Sequence, residues 1–358
     1  DGRSETLVAR RILIATGAIE RAVPIPGWEL PGVMTVGAAQ ILLKTAGLVP
    51  EGRAVLAGQG PLLYLAALQL AHAGAPPVAI LETTPPANYA AALAHASCLW
   101  GGRRDLSKGL GMMLALRRAG VALRRGVRGL RALGRLRVEA VAWEGGEIAV
   151  DHLLLHEGVI PNTQISLGLQ LAHRWDEAQL CWQPMLDEWG ATSVPNIAIA
   201  GDGGGIAGAG AAALTGRLAA LDAAAALDRI DAAERDRRAR PIRAALGRER
   251  AIRPFLDALY RPAGNVLSPP DEVIACRCEE VTAGQIRRAV KLGASGPNQI
   301  KAFLRCGMGP CQGRVCGPVV GAIIAEARSV PIAQVGTYRP RAPYKPITLG
   351  ALAAGAPK

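Results

Sequence analysis

The sequence of 358 residues predicts an α/β protein with a small, helical, cysteine-rich domain near its C-terminus. Three observations predict this fold class. A strand, a glycine turn and a helix follow one another at residues 53–73, and a further strand follows at 78–81. Two other apolar strands, at 7–15 and 194–200, each run directly into a glycine-containing turn. Five of the seven cysteines fall within residues 276–316.

The composition sets limits on the kind of protein. Half of the residues are hydrophobic, and the chain is long enough for two or three domains with cores of their own. The net charge is +12, but the arginines are scattered along helices without aromatic residues between them, so we expect no nucleic-acid partner. No apolar stretch has the length of a membrane span. Clustered, reduced cysteines favour the cytoplasm, either free in solution or at the periphery of the inner membrane.

The first strand, residues 7–15, is followed at once by Thr16 and Gly17. Glycine is needed where a backbone turns sharply or passes close to a ligand. The sequence from Arg11 to Trp28 resembles the strand and turn that flavoproteins of the glutathione-reductase-like fold place next to FAD. This resemblance implies that Thr16 and Gly17 lie in a flavin site.

A second nucleotide-binding unit begins at residue 53. Gly58 and Gly60 open its helix, and Glu82 closes its second strand. A glycine turn at a helix N-terminus suits a pyrophosphate, and an acid at the end of the second strand suits a ribose hydroxyl. Leu63 stands where this motif usually has glycine or alanine, so the ligand stays open between NAD(P) and another nucleotide. Helices are predicted over 84–130 and an antiparallel meander over 130–155.

The middle of the chain returns to the first unit. Residues 158–162, GVIPN, resemble the return turn of the same flavoproteins. Residues 192–202, TSVPNIAIAGD, form a buried strand that carries Gly201 and Asp202 to the start of a helix. There the Asp202 carboxylate can accept a hydrogen bond from a ribityl or ribose hydroxyl, or it can simply cap the helix. Helices follow over 214–262.

The cysteines form a C-x-C pair, Cys276 and Cys278, and then a C-x4-C-x4-C run at 306–316. One ion or cluster needs several thiolates close together, so the spacing indicates a metal site. Spacing alone leaves zinc, iron–sulfur and a disulfide pair open, although the composition is not that of a secreted disulfide scaffold. Helices predicted from Thr282 and from Pro318 would turn their free N–H groups toward the sulfurs, which suits a negatively charged cluster.

The segments CRCEEVT and GMGPCQGRVCG resemble the bacterioferritin-associated ferredoxin-like domain, which binds a 2Fe-2S cluster. That domain is found at the C-termini of several flavin dehydrogenase subunits. The resemblance implies that Cys276, Cys278, Cys311 and Cys316 are the ligands and that Cys306 is a spare thiol.

Taken together, the motifs resemble the FAD and iron–sulfur α subunits of heteromeric amino-acid and opine dehydrogenases. This family includes HcnB of hydrogen cyanide synthase, the larger flavin-type chain of opine oxidase, and the α subunits of proline or hydroxyproline dehydrogenases. The resemblance implies FAD, a 2Fe-2S cluster and a second nucleotide as cofactors. It implies two partner subunits, one flavin-containing and amine-oxidase-like, the other small and ferredoxin-like. The implied activity is the oxidation of an amino acid, imino acid or opine.

The sequence shows no acid/base constellation, so the catalytic residues stay unidentified and we expect the substrate to be oxidised mainly in the partner. Two alternatives stay open, a stand-alone NAD(P)H-dependent flavin reductase and a non-enzymatic, zinc-bound interaction module. We expect the family's first βαβ unit to be missing from this chain. The predicted domains are part of the FAD domain (1–48), the inserted nucleotide domain (49–150), the return of the FAD domain with a helical extension (151–262), the 2Fe-2S domain (263–328) and an extended tail (329–358).

Overall fold

A computed structural model describes residues 5–354. Its strands are β1 (Ile12–Ile14), β2 (Ala18–Glu20), β3 (Val33–Thr35), β4 (Ala54–Gln59), β5 (Ala79–Glu82), β6 (Ala122–Arg124), β7 (Arg131–Leu133), β8 (Ala140–Trp143), β9 (Gly146–Ala149), β10 (His152–Glu157), β11 (Val159–Pro161), β12 (His173–Asp176), β13 (Cys181–Pro184), β14 (Ile197–Ile199), β15 (Ile274–Cys276) and β16 (Val281–Thr282).

The helices alternate with these strands in the first half of the chain and predominate in the second half. They are α1 (Val36–Ala46), α2 (Pro61–His72), α3 (Pro86–Leu93), α4 (Cys98–Gly101), α5 (Arg103–Arg118), α6 (Gln164–Gly168), α7 (Ala209–Ala226), α8 (Ala232–Arg250), α9 (Arg253–Leu259), α10 (Gly264–Leu267), α11 (Ala283–Lys291), α12 (Pro297–Leu304), α13 (Gly317–Arg328), α14 (Ile332–Val335) and α15 (Leu349–Ala354), with a 3-10 turn at Gly201–Gly204. Within the described residues, no helix is both long and apolar enough to cross a membrane.

The nucleotide domain is built on a five-stranded parallel sheet in the order β3-β10-β4-β5-β6. Strand β4 is buried along its whole length, as expected of a strand covered on both faces. Alternate residues face different layers. Val55 packs with the β7-β8-β9 meander on one side, and Leu56 packs with α1, α2 and α5 on the other.

One strand differs from the prediction. The sequence placed Leu153 and Leu155 in the antiparallel meander, but β10 lies between β3 and β4 in the parallel sheet. Its alternating apolar residues suggested a half-exposed strand, whereas the structure buries β10 on both faces. The sheet therefore takes strands from both sides of the boundaries predicted at 48/49 and 150/151.

The flavin-type portion consists of short paired strands followed by helices. β1 pairs in parallel with β14, and β2 pairs antiparallel with β11. These two pairings hold the segments before and after the nucleotide domain together. Downstream, α7 packs against α8 around a small core that includes Trp189 and Leu246.

The C-terminal domain is a hairpin, β15-β16, followed by α11, α12 and α13. The predicted capping box is present, because the Thr282 side chain accepts from the Gln285 N–H and the Gln285 side chain accepts from the Thr282 N–H. α13 begins directly after Cys316, as predicted. Within the described part of the tail, α14 and α15 interrupt the extended structure that the prolines predicted.

Candidate cofactor sites

Two of the predicted flavin turns contact each other. Thr16 donates from Oγ1 to the carbonyl oxygen of Asn162 at 3.0 Å, and the Asn162 N–H donates to the Gly17 carbonyl at 2.9 Å. Gly17 has a φ of +64°, which favours glycine. The loop after β14 joins them, since a Cβ at Gly203 would lie 3.1 Å from Thr16 Oγ1. The turns at 16–17, 162 and 201–204 therefore form one face.

Asp202 lies on that face, but part of its carboxylate is engaged. Oδ1 accepts from the backbone N–H groups of Ala207, at 3.0 Å, and Gly208, at 3.1 Å. Gly208 is the residue that precedes α7, so Asp202 fixes the loop leading into that helix. The neighbouring Gly201 N–H donates to Thr215 Oγ1 of α7. Asp202 thus helps to hold the loop, as the capping alternative proposed, and its Oδ2 is left for a ligand hydroxyl.

The glycines of the second motif bring the nucleotide loop against β10. A Cβ at Gly58 would overlap the carbonyl oxygen of His156, so only glycine fits there. A Cβ at Gly60 would lie 3.8 Å from His156 Nε2. Leu63, the departure from the usual motif, is fully buried in the core shared by α1, α2 and α5. The loop therefore keeps its shape, with Leu63 packed on the helix side of the sheet.

Glu82 ends β5 at the edge where the nucleotide loop lies, but its carboxylate is 3% exposed. Oε1 accepts from Thr84 at 3.1 Å and Tyr89 at 3.4 Å, and Oε2 is 3.4 Å from Arg125 Nε. Burial, followed by the Glu82 charge, raises the pKa of Tyr64. Glu82 is thus engaged by protein groups rather than turned toward open solvent.

A buried polar network adjoins this loop, and the sequence analysis missed it. Glu157 accepts from Thr83 Oγ1 at 2.6 Å and from Gln59 Nε2 at 2.8 Å. Burial raises the pKa of the Glu157 carboxyl. Beside it, His156 Nδ1 lies 2.5 Å from Glu20 Oε1, which links β10 to β2. Only the polar His-Glu pair in an otherwise apolar strand could have signalled this network from the sequence.

All five C-terminal cysteines come together. The sulfurs of Cys276, Cys306 and Cys316 lie within 4.8 Å of one another, and all three residues are buried. Cys311 is hydrogen-bonded to Cys316 and to Cys278. The four predicted ligands are therefore neighbours, and the spare thiol Cys306 lies among them. All seven cysteines of the chain are free thiols.

The surroundings favour thiolates at two of these positions, and the thiolate is the form that binds metal. Hydrogen bonds from Cys306 and then Cys316 lower the pKa of Cys276 to about 2. A hydrogen bond with Cys316 lowers the pKa of Cys311 to about 5. The hydrogen bond to Cys276 raises the pKa of Cys306 to about 12. Backbone N–H groups add to the effect, including that of Gly307 at Cys276.

The arrangement fits a metal group held by thiolates. The loop at Gly309 passes so close to Cys278 that a Cβ there would lie 3.0 Å from Sγ and would overlap Cβ. The hydroxyl of Tyr338 is buried beside the thiols, and it has no hydrogen-bond partner among residues 5–354 that meets distance and angle criteria. A buried donor without an acceptor needs a partner, and a metal-bound sulfur is one.

One side chain connects the flavin face to the cysteine loop. Gln164, two residues after Asn162, donates from Nε2 to the carbonyl oxygen of Cys311 at 3.1 Å. Its Oε1 accepts from Arg314 at 2.8 Å. Gln164 is 7% exposed, so both hydrogen bonds are shielded from solvent. The sequence did not indicate this residue.

Comparison with known proteins places the chain in a family. Residues 1–216 match the pyridine nucleotide-disulphide oxidoreductase family, and residues 275–356 match the sarcosine oxidase A3 domain. The A subunit of opine oxidase from Agrobacterium tumefaciens is 44% identical over 98% of this chain and 71% of that protein. The hydrogen cyanide synthase subunit HcnB of Pseudomonas protegens is 34% identical over 95% of this chain and 74% of that protein.

A solved structure shares the fold. L-proline dehydrogenase from P. horikoshii superposes with a TM-score of 0.67 at 18% identity, over 96% of this chain and 58% of that chain. The glutathione-reductase-like fold predicted from the sequence is confirmed by this superposition and by the family match. The chain belongs to the pyridine nucleotide-disulphide oxidoreductase family, among the FAD-dependent oxidoreductase subunits that include HcnB and its opine oxidase counterpart.

Proposed function

We propose that this chain is the FAD- and iron–sulfur-containing subunit of a heteromeric dehydrogenase that oxidises an amino acid, imino acid or opine. The observation that carries the proposal is the junction at Gln164, which joins the turn touching Gly17 to the loop carrying Cys311. Two redox groups bound at these places are held against each other by one short segment. A dehydrogenase that passes electrons between them requires such an arrangement.

The C-terminal domain would hold a 2Fe-2S cluster on four thiolates. The proposed ligands are Cys276, Cys278, Cys311 and Cys316. Such a cluster accepts and releases one electron at a time, so beside a two-electron flavin it divides an electron pair for a one-electron acceptor. The chain's own contribution is to shield the sulfurs, since Cys276 and Cys316 are each 1% exposed.

Two nucleotides would bind on the other domains. The face formed by Thr16, Gly17 and the Gly201–Asp202 loop would hold FAD, with the free Asp202 oxygen accepting from a ligand hydroxyl. The loop at Gly58 and Gly60 would hold a second nucleotide through backbone N–H groups at the start of α2. Because Glu82 is engaged by Arg125 and tyrosines, we propose a nucleotide that is held without turning over by hydride transfer.

The substrate would be oxidised mainly in a partner. The cofactor faces carry no free general base, and removal of a proton or hydride needs a positioned acid or base, or an anchored substrate pocket. We propose that this step takes place in a second flavin-containing, amine-oxidase-like subunit, and that a small ferredoxin-like subunit is a further partner. Reduced ligand cysteines agree with a cytoplasmic location.

The test is to purify the complete protein on its own and together with the polypeptide encoded beside it. Iron, acid-labile sulfide, zinc and flavin are measured first, and turnover is then assayed with an artificial dye and a panel of amino acids, proline analogues and opines. We expect iron and sulfide in the isolated protein and turnover only with the partner. Turnover without the partner would contradict the relay. Rapid flavin bleaching by NADH or NADPH would favour a reductase, and a colourless protein that contains zinc would favour an interaction module.

A further inference from the structure

We propose that Cys306 and Tyr338 form a hydrogen-bonded pair that raises the reduction potential of the metal centre. The inference rests on the proposed function, since it assumes an iron–sulfur cluster on the other four cysteines. In this arrangement the Tyr338 hydroxyl donates to the Cys306 sulfur, and the Cys306 thiol donates to the sulfur of Cys276. The spare thiol thereby acquires a positioning and tuning role without being a ligand.

The first step concerns Cys306. Its side chain is 0% exposed, and its sulfur lies within 4.8 Å of the sulfurs of Cys276 and Cys316. A neutral thiol is a weak hydrogen-bond donor, whereas a metal-bound thiolate is only an acceptor. A buried thiol among ligand sulfurs therefore has one direction in which to donate. Its hydrogen bond runs to Cys276.

The second step concerns Tyr338. The residue is 6% exposed, its hydroxyl has no partner of good geometry among residues 5–354, and it faces the thiols of Cys306 and Cys316. A phenol that is buried without an acceptor costs free energy, which the fold tolerates when a ligand group completes the contact. Donation to the Cys306 sulfur leaves the thiol proton directed to Cys276.

The cysteine loop is shaped to receive the tyrosine ring. A Cβ at Gly307 would come 2.7 Å from Tyr338 Cζ, and a Cβ at Gly313 would overlap Cδ2. Both glycines have positive φ, +86° and +78°. Any other residue at either position would displace the ring, so the ring position is built into the loop that carries the ligands.

A single side chain fixes the backbone on both sides of Tyr338. Asn298 of α12 donates from Nδ2 to the Thr337 carbonyl at 3.0 Å. Its Oδ1 accepts from the Arg339 N–H at 3.1 Å. Such a clamp holds the tyrosine in place although it comes from the tail, beyond the last helix of the cysteine domain.

The expected effect follows from charge. Reduction adds one electron and one negative charge to the cluster, and hydrogen bonds to its sulfurs stabilise that extra charge. No proton need be transferred. Loss of a hydrogen bond to a ligand sulfur should therefore make reduction harder and lower the potential. One such bond corresponds to about a tenfold change in the reduction equilibrium, or about 59 mV for a one-electron couple.

The experiment measures the midpoint potential and the electron paramagnetic resonance spectrum of the purified, cluster-containing protein. The variants are Cys306→Ala, Tyr338→Phe and the double variant. The matched controls are Cys98→Ala, which lies far from the site in sequence and on another helix, and Tyr344→Phe, a tyrosine of the same tail that packs on Gly168. All variants are first checked for iron and sulfide content.

We expect both single variants to retain iron and to have a lower potential than either control. The double variant should shift no further than Cys306→Ala, because Tyr338 acts through Cys306. Unchanged potentials overturn the pair, as does an additive double variant. Iron loss in Cys306→Ala overturns it by making Cys306 a ligand, and iron loss in Tyr338→Phe overturns it because phenylalanine fills the same cradle. A native protein without iron would show instead that the proposed function fails.

Discussion

Replacement of Gln164 by leucine tests whether the flavin face and the cysteine loop are held together by one side chain. Leucine keeps the approximate volume of a residue that is 7% exposed, but it can neither donate to the Cys311 carbonyl nor accept from Arg314. Both partners would then be left without their present hydrogen bonds. We expect the junction to open more often while each domain keeps its own core.

The size of the effect follows from these two hydrogen bonds. A neutral hydrogen bond contributes about 1 kcal/mol, and one to a charged group about 1.5–3 kcal/mol. Loss of both costs about 3 kcal/mol, and since 1.4 kcal/mol is a factor of ten, local opening should become roughly a hundredfold more frequent. Global unfolding is a poor measure because a multidomain chain does not unfold in one step.

Hydrogen exchange read by mass spectrometry is therefore the assay, on peptides covering 158–168 and 305–317. Gln164→Glu is the matched control, because a carboxylate keeps the contact with Arg314 and loses only the donation to Cys311. We expect protection in these peptides to fall in the order native, Gln164→Glu, Gln164→Leu, with peptides from α7 unchanged. Native protection in Gln164→Leu would refute the junction as a source of local stability.

Three further predictions address the metal site, the buried acid and the nucleotide loop. Cys311→Ser should lose bound iron while Cys306→Ser keeps it, and the reverse result in iron analysis would overturn the proposed ligand set. Burial raises the pKa of Glu157, so its contribution to stability is present below its unfolded pKa and is lost as the pH rises through the folded value. Glu157→Gln should therefore gain in unfolding midpoint relative to the native protein between pH 5 and pH 8, and an equal difference at both would contradict this sign. Gly58→Ala forces a Cβ into the carbonyl of His156 and should cost about 3 kcal/mol or more, so a native melting temperature would disprove the close approach.

Local chemistry explains what the sequence predicted well. The capping box at Thr282 and Gln285 depends on residues three apart, so its signature is complete in the sequence. The turn at Gly58 likewise needs glycine for its own backbone conformation, with φ at +136°. In both cases the residue type follows from a conformation that the neighbouring residues alone determine.

Long-range packing explains what the sequence left out. Tyr338 lies 32 positions after Cys306, and nothing near either residue indicates that they meet. Glu82 has the expected place at the end of β5, but Tyr89 and Arg125 come from separate elements and occupy its oxygens. The spacing of a motif fixes where a side chain starts, and the tertiary fold decides what it touches.

The position of Asn162 and Gln164 in one turn limits how the two redox sites can move. Asn162 binds Gly17 through the backbone, and Gln164 reaches the backbone carbonyl of Cys311 through its side chain. Only one residue separates the two contacts, and such a short segment cannot absorb a large displacement of one site without moving the other. Electron transfer between groups bound there would not require the cysteine domain to swing on a flexible linker. The Gln164→Leu variant tests this directly, because it loosens the contact with Cys311 and leaves the contact with Gly17 intact.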